Sequence, residues 1–222
     1  MPVTVTPVVL NARALLLDMD GTLVNSDAVV ERIWRRWAAE HGLDGDATMK
    51  VVHGRQGHAS MALLLPDRPH EENLADNARM LAEETADMDG VIEVPGAAVF
   101  LAALRDLPHA LVTSADVALS TARMAAAGLP LPDLRVTAES VGASKPDPEG
   151  FLKAAAALGI DPSDCVVFED SGAGIAAGRS AGMRVVGIGE RAERYGPDVV
   201  VPDLTRVTVE ASADGGIRLT VE

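Results

Sequence analysis

The fold of this chain follows from one stretch near its start, Leu15-Leu16-Leu17-Asp18-Met19-Asp20-Gly21-Thr22-Leu23. A short apolar run that ends in a turn signal predicts a buried strand, here over residues 14–17. Two aspartates stand at the carboxyl end of that strand, and Gly21 lets the chain turn directly after them. Buried carboxylates are costly without a cation, so the stretch predicts a metal ion or a phosphate site with its cation.

The composition of the 222 residues favours one sizeable domain, or a core domain with a smaller insertion. Hydrophobic residues make up 48% of the chain but aromatic residues only 3%, which suits helices packed on a parallel sheet. The formal net charge of −14 disfavours nucleic acid and anionic membranes as partners. An anionic substrate would therefore need a local cationic pocket.

The single cysteine, Cys165, excludes a disulfide within the chain and fits a reducing cytoplasm. The sequence has neither a secretory signal nor an apolar run long enough to span a bilayer. We therefore expect a cytoplasmic protein that has no membrane partner and is a monomer.

A helical pattern follows the first strand. Apolar residues at three- and four-residue spacings predict a helix over residues 26–41, and further helical segments fill residues 46–88, with breaks at glycines and prolines. The sequence thus predicts a small all-helical cap domain over residues 25–91. This cap is inserted into a core domain that comprises residues 1–24 and 92–222.

Strands and helices alternate in the second half of the chain, after residues 91–96, which are predicted to be a return linker. The predicted strands cover residues 109–112, 134–137, 165–168 and 184–188. This rhythm predicts an α/β fold with a Rossmann-like parallel sheet and helices on both faces. The tail predicts a C-terminal β-hairpin around Asp214-Gly215-Gly216. Residues 1–12 form either an edge strand or a lead-in.

The residues that can do chemistry share one placement, the carboxyl end of a predicted strand or the start of a helix, where parallel sheets gather their ligands. They are Asp18, Asp20, Thr113, Ser114, Lys145, Glu169 and Asp170. Acidic oxygen ligands suit Mg²⁺. A hydroxyl, a backbone N–H at a helix start and a lysine form a cradle for phosphate. Together these parts predict phosphoryl transfer.

Four of these segments resemble, in order, the motifs of the haloacid dehalogenase-like (HAD) phosphatases. The segments are Asp18-Met19-Asp20-Gly21-Thr22, Thr113, Lys145-Pro146 and Glu169-Asp170. The resemblance covers about residues 13–202, and the helical insertion resembles the small helical cap of one subgroup. Dehalogenating members of the family lack the second acid of the first motif, so Asp20 favours phosphate over halide chemistry.

The resemblance implies a role for each motif residue. Asp18 is the nucleophile that becomes an aspartyl-phosphate, and Asp20 is the general acid for the leaving oxygen and then the base for water. The Thr113 hydroxyl and the Ser114 backbone N–H hold the phosphoryl oxygens, while Lys145 neutralises charge. The implied ligands of Mg²⁺ are Asp18, the carbonyl of Asp20, Glu169 and Asp170.

The cap carries a loop at His53-Gly54-Arg55 that resembles the His-Gly-X-Arg loop of small sugar- and polyol-phosphate phosphatases of the glycerol-3-phosphatase and 2-deoxyglucose-6-phosphatase type. Trp34 in the first cap helix also matches that group. Here Gln56 stands at the place of the family's arginine, and Arg55 directly follows Gly54. A polar turn between helices is the alternative. We expect His53, Gly54 and Arg55 to contact a small phosphate ester.

Two other functions compete with Mg²⁺-dependent hydrolysis of a sugar or polyol phosphate. Sugar-phosphate mutases of the β-phosphoglucomutase type place a histidine in the first linker helix, and the matching place here, near Val30, has none. A non-catalytic phosphate-binding domain is the other alternative. The intact set of Asp18, Asp20, Lys145 and Asp170 argues against it.

Overall fold

The computed structural model describes residues 7–213 and 215–222. Part of the predicted lead-in, residues 1–6, and the hairpin residue Asp214 lie outside the described residues. The strands are β1 (Val8–Ala12), β2 (Ala14–Leu17), β3 (Val24–Asn25), β4 (Ile92–Glu93), β5 (His109–Val112), β6 (Arg135–Val136), β7 (Cys165–Glu169), β8 (Arg184–Ile188), β9 (Val199–Val201), β10 (Val207–Ala211) and β11 (Ile217–Val221).

Nine α-helices lie within the described residues. They are α1 (Asp27–Glu40), α2 (Gly45–Val52), α3 (Gly57–Leu64), α4 (His70–Ala86), α5 (Ala97–Ala103), α6 (Val117–Ala126), α7 (Glu149–Leu158), α8 (Gly172–Ser180) and α9 (Gly189–Glu193). Within the part of the chain that the structure describes, none of these helices combines the length and the apolar character required to cross a membrane.

The centre of the molecule is a six-stranded parallel sheet with the order β6-β5-β2-β7-β8-β9. The predicted first strand, β2, lies between β5 and β7. Its side chains alternate between two buried clusters, with Leu15 and Leu17 in one and Ala14 and Leu16 in the other. A strand that is covered on both faces reads as a continuous apolar run, which is the pattern seen here. The predicted α/β fold is confirmed.

Helices α1 to α4 follow one another between β3 and β4, as the sequence predicted for an all-helical insertion. The structure differs at the exit of this segment. Residues 91–96 are not a plain linker, because β4 pairs antiparallel with β3. The chain thus enters and leaves the helical segment through one two-stranded ribbon.

The ends of the chain form a second sheet. The predicted C-terminal hairpin is confirmed as β10 and β11, and β1 pairs antiparallel with the other side of β11. Residues 8–12 therefore form an edge strand, but in this three-stranded sheet and not in the parallel one. The sequence did not predict α9 or the sixth parallel strand, β9.

Candidate active site

Lys145 lies at the centre of the site, at the carboxyl ends of β2, β5 and β7. Its Nζ donates to Asp18 Oδ1 at 2.6 Å, to Glu169 Oε1 at 2.7 Å and to the carbonyl of Val112 at 3.0 Å. The side chains of Lys145, Asp18 and Glu169 are all buried. The ammonium group is therefore fixed between a carboxylate that follows one strand and a carboxylate that ends the next.

The electrostatics of this cluster favour an added cation. Burial raises the pKa of Asp18 to about 7, helped by the charge of Glu169 and opposed by Lys145. Burial also raises the pKa of Asp170 well above its usual range, with further repulsion from Glu169 and Asp18. Burial alone would lower the pKa of Lys145, but the charges of Asp18 and Glu169 outweigh burial and raise it. Even with Arg191, which lies 2.7 Å from Asp170, two cationic groups do not balance three buried carboxyl groups.

Asp18, Glu169 and Asp170 have the chemistry and the spacing of a metal site. Each offers one carboxylate oxygen, and these oxygens all lie within 4.8 Å of one another. Buried oxygen donors suit Mg²⁺. Gly21 has a φ of +84°, and a Cβ atom there would lie 2.1 Å from Asp170 Oδ2, so glycine leaves the carboxylate its room. The residues present fit a divalent cation.

Asp20 lies beside this cluster but has other partners. Its Oδ1 accepts a hydrogen bond from Ser26 Oγ at 2.7 Å, and its Oδ2 lies 2.9 Å from Nη1 of Arg123. Arg123 on α6 also contacts Glu84 of α4. Neither Arg123 nor Glu84 was predicted from the sequence. The available signal was a charged residue on an otherwise apolar helix face, since Arg123 follows Leu119 by one helical turn.

The loop after β5 connects the site to the helical segment. The Thr113 hydroxyl accepts a hydrogen bond from the backbone N–H of Ala115 at 3.0 Å. The Ser114 hydroxyl donates to the carbonyl of Gly54 at 3.0 Å. The two residues predicted to hold phosphoryl oxygens thus lie at the sheet edge and directly beneath the loop between α2 and α3.

That loop, which includes His53, Gly54 and Arg55, packs closely on the core. Gly54 has a φ of +77°, and a Cβ atom there would lie 2.0 Å from the Oγ of Ser171. Arg55 Nη1 donates to the carbonyl of Lys145 at 3.1 Å. The sequence placed these residues near a substrate, and the structure brings them to the loops that carry the predicted motifs.

Arg191 on α9 joins His53 to the acidic cluster. Its Nη1 lies 2.7 Å from Asp170 Oδ2 and 3.0 Å from His53 Nδ1, while its Nη2 donates to both oxygens of Asp27 at 2.9 Å. Burial, followed by the charge of Arg191, lowers the pKa of His53 to about 4. His53 is therefore a neutral imidazole at physiological pH. Arg191 was not predicted from the sequence, because only the fold brings α9 to the site.

A cavity of about 90 Å³ separates the sheet edge from the helical segment. Its walls include Asp18, Asp20, Thr113 and Ser114 on the core side and Trp34, Asn77, Met80 and Glu84 on the helical side. Three arginines, Arg55, Arg123 and Arg191, also line it. Four acids, Asp18, Asp20, Asp27 and Glu84, line the same walls, and both Arg123 and Arg191 are paired with carboxylates. The arginines alone therefore do not make the pocket cationic, and an anionic substrate would need further positive charge.

Comparisons with known proteins agree with this geometry. Residues 12–182 match the family model of the haloacid dehalogenase-like hydrolases. The chain is 34% identical over 213 residues to hexitol phosphatase A of Escherichia coli (strain K12), which covers 94% of this chain and 99% of that protein. It is also 34% identical over 199 residues to glycerol-1-phosphate phosphohydrolase 1 of Saccharomyces cerevisiae, covering 85% of this chain and 79% of that one.

A β-phosphoglucomutase from Clostridium difficile has a similar structure, with a TM-score of 0.77 and 21% identity. The likeness covers 89% of this chain and 93% of that chain. At this level of identity, it shows the shared fold alone.

Proposed function

Since the chain belongs to the haloacid dehalogenase-like hydrolases and is a phosphomonoester hydrolase, we propose that it hydrolyses a small sugar or polyol phosphate with Mg²⁺, through an aspartyl-phosphate on Asp18. One observation carries the mechanism. Lys145 bridges Asp18 and Glu169, and Asp18 lines the cavity between the sheet edge and the helical segment. The names of the relatives support the class of substrate, since they include hexitol and glycerol-1-phosphate phosphatases.

In the first half of the reaction, a carboxylate oxygen of Asp18 attacks the phosphorus atom. The bond between phosphorus and the ester oxygen breaks, and the leaving oxygen takes its electron pair together with a proton from Asp20. The Thr113 hydroxyl and the Ser114 backbone N–H hold the phosphoryl oxygens. Lys145 balances the negative charge that gathers between the phosphoryl group and Asp18.

In the second half, water attacks the phosphorus atom of the aspartyl-phosphate. Asp20, now ionised, takes a proton from that water, and the bond between phosphorus and Asp18 breaks. Inorganic phosphate leaves, and both aspartates return to their starting state. The same side chain thus serves as acid and then as base, which requires it to face the phosphorus atom in both halves.

Asp18, Glu169, Asp170 and the carbonyl of Asp20 are the groups that would hold Mg²⁺. When bound, the ion supplies positive charge that offsets the phosphoryl oxygens and the carboxylates. The buried, closely spaced carboxyl oxygens and the raised pKa values of Asp18 and Asp170 support this assignment.

The helical segment, proposed as a cap domain over residues 25–91, faces the leaving group. Apolar Trp34 and Met80 and polar Asn77 and Glu84 share its wall of the cavity. A hydroxylated carbon chain offers both kinds of surface. The cavity wall therefore supports a sugar or polyol phosphate as the substrate.

A phosphate-release screen with Mg²⁺ tests the proposal. The panel should contain sugar, polyol and nucleotide monophosphates, and a bisphosphate-dependent mutase assay should run alongside. We expect phosphate release to be fastest from sugar or polyol phosphates. Isomerisation of a sugar phosphate without phosphate release would contradict hydrolysis, and a preference for nucleotides would contradict the proposed substrate class.

A further inference from the structure

Arg123 contacts carboxylates on opposite sides of the cavity. Its Nη1 lies 2.9 Å from Asp20 Oδ2, and its Nη2 lies 2.5 Å from Glu84 Oε2. Arg123 is 3% exposed and Glu84 is 7% exposed. These contacts therefore differ from a solvated surface ion pair, because removing one partner leaves a buried charge without compensation.

The three groups come from two parts of the fold. Asp20 follows β2 and Arg123 lies on α6, so both belong to the part built around the parallel sheet. Glu84 lies on α4, in the helical segment that covers the cavity. The contact between Arg123 and Glu84 therefore joins the covering segment to the core, whereas the contact between Arg123 and Asp20 stays within the core.

The carboxylate of Asp20 is held on both oxygens. Ser26 Oγ donates to Oδ1 at 2.7 Å, while Arg123 occupies Oδ2. A guanidinium group is planar and presents its donors in a fixed fork, so its orientation limits that of a carboxylate bound to it. Glu84 in turn binds Nη2, the second terminal nitrogen of the Arg123 guanidinium group. The orientation of Asp20 thus depends on a residue of the helical segment that it does not itself contact.

We propose that Arg123 is a positioning residue for proton transfer by Asp20, and that Glu84 makes this positioning depend on closure of the helical segment over the core. This inference rests on the proposed function, in which Asp20 gives its proton to the leaving oxygen as the bond to phosphorus breaks. When α4 moves away from α6, Glu84 leaves with it and Arg123 retains Asp20 alone. Proton transfer is thereby coupled to a cavity that is closed to bulk water.

The test compares two substrates that differ in their need for a proton. A polyol phosphate releases an alkoxide, which requires protonation, whereas p-nitrophenyl phosphate releases a stable phenolate. The measured quantity is kcat/KM, because it reports the steps up to the first cleavage of the ester bond. The later attack of water, which is common to both substrates, does not enter it.

The variants are Arg123→Met, which removes the guanidinium group, and Glu84→Gln, which keeps the shape of the side chain and removes its charge. Glu83→Gln is the matched control. Glu83 is the preceding residue of α4 and pairs with Arg36 and Arg79 on an exposed face of the helix. Thermal melting of each variant reports whether it folds. If Arg123→Met does not fold, the result for Glu84→Gln alone decides the test.

We expect kcat/KM for the polyol phosphate to fall relative to that for p-nitrophenyl phosphate, by about 100-fold in Arg123→Met and about 10-fold in Glu84→Gln. The ratio should stay within about twofold in Glu83→Gln. Equal losses on both substrates in Glu84→Gln would overturn the inference, as would an equal change of the ratio in the control. If the wild-type protein released phosphate from neither substrate, the proposed function itself would fail.

Discussion

The two sides of the cavity are held in place in different ways. On the core side, Asp18, Thr113 and Glu169 lie at or directly after the carboxyl ends of neighbouring strands, so the hydrogen bonds of the sheet fix their backbone. On the helical side, Arg55 and Glu84 reach the core through side-chain contacts alone. The groups of the proposed reaction are thus held by the sheet, whereas Arg55 and Glu84 depend on side-chain contacts with the core.

The core side should respond most strongly to substitution. Asp18→Asn keeps the shape of the side chain but removes the nucleophile, so we expect phosphate release to fall by at least about 10⁴-fold. Asp106→Asn is a matched control, because Asp106 is exposed and follows α5. Steady-state phosphate release measures both variants. Turnover at the wild-type rate in Asp18→Asn would remove the proposed nucleophile and, with it, the contrast between the two sides.

Metal removal should also abolish activity, because all the proposed metal ligands lie on the core side. We expect a chelator to stop phosphate release and added Mg²⁺ to restore it. Binding to the folded state stabilises it, so Mg²⁺ should raise the melting temperature of the wild-type protein but not that of Asp170→Asn. Full activity in excess chelator would be incompatible with the proposed metal site. An equal rise in melting temperature in both proteins would place the ion elsewhere.

Arg55→Ala should have a smaller effect, and one that depends on the substrate. The change removes the hydrogen bond to the carbonyl of Lys145, which holds the loop between α2 and α3 against the core. We expect KM for a sugar phosphate to rise about 3- to 10-fold and to rise less for p-nitrophenyl phosphate. Arg32→Ala is the control, since Arg32 pairs with Asp87 on the surface. Equal rises on both substrates would exclude Arg55 from substrate choice.

Asp76→Asn should change stability while leaving turnover nearly intact. Asp76 lies within the helical segment and accepts hydrogen bonds from Trp37 Nε1 at 2.9 Å and Arg68 Nη2 at 2.7 Å. Burial opposes its ionisation, but these hydrogen bonds outweigh burial and lower the pKa of Asp76. A lowered pKa in the folded state adds stability at pH values above the ordinary pKa, and this stability is lost as the pH falls through the folded value.

We therefore expect Asp76→Asn to lower the free energy of unfolding by roughly 1–3 kcal/mol at pH 7, and this difference to shrink below about pH 4. Denaturant unfolding at pH 7 and at pH 3 measures it. The value of kcat/KM should stay within about twofold of wild type. A stability difference that is the same at both pH values would contradict the role assigned to the ionised carboxylate.

Much of the core side was predictable because most motif residues lie at a strand end, and Lys145 lies shortly before α7. Asp18 follows an apolar run by one residue, and Glu169 ends another. Once a parallel sheet is inferred, its carboxyl ends must meet at one edge. The ion pairs that join the core to the helical side were less predictable. Arg123 and Glu84 are 39 positions apart, and Arg191 and Asp27 are 164 apart, so no local pattern connects them.

The strands that the sequence did not predict have a related cause. The ribbon strands β3 and β4 have two residues each, and β9 has three. A side-chain period of two cannot be recognised over so few residues. The equally short β6 was predicted because apolar and polar residues alternate over residues 134–137. These strands form because neighbouring parts of the fold offer backbone partners, with β9 completing the sheet beside β8. The predicted domain limits, cytoplasmic location and monomeric state stay predictions.

The sequence by itself determined the strand that carries Asp18 and Asp20, the alternation that builds the sheet, and the set of acids, hydroxyl and lysine at its edge. Local burial and turn chemistry suffice for these, because each depends on residues close together in the chain. Only the tertiary structure decided which charges meet. It brought Lys145 between Asp18 and Glu169, and Arg123 between Asp20 and Glu84. Charge pairing depends on distance in space, and folding sets that distance.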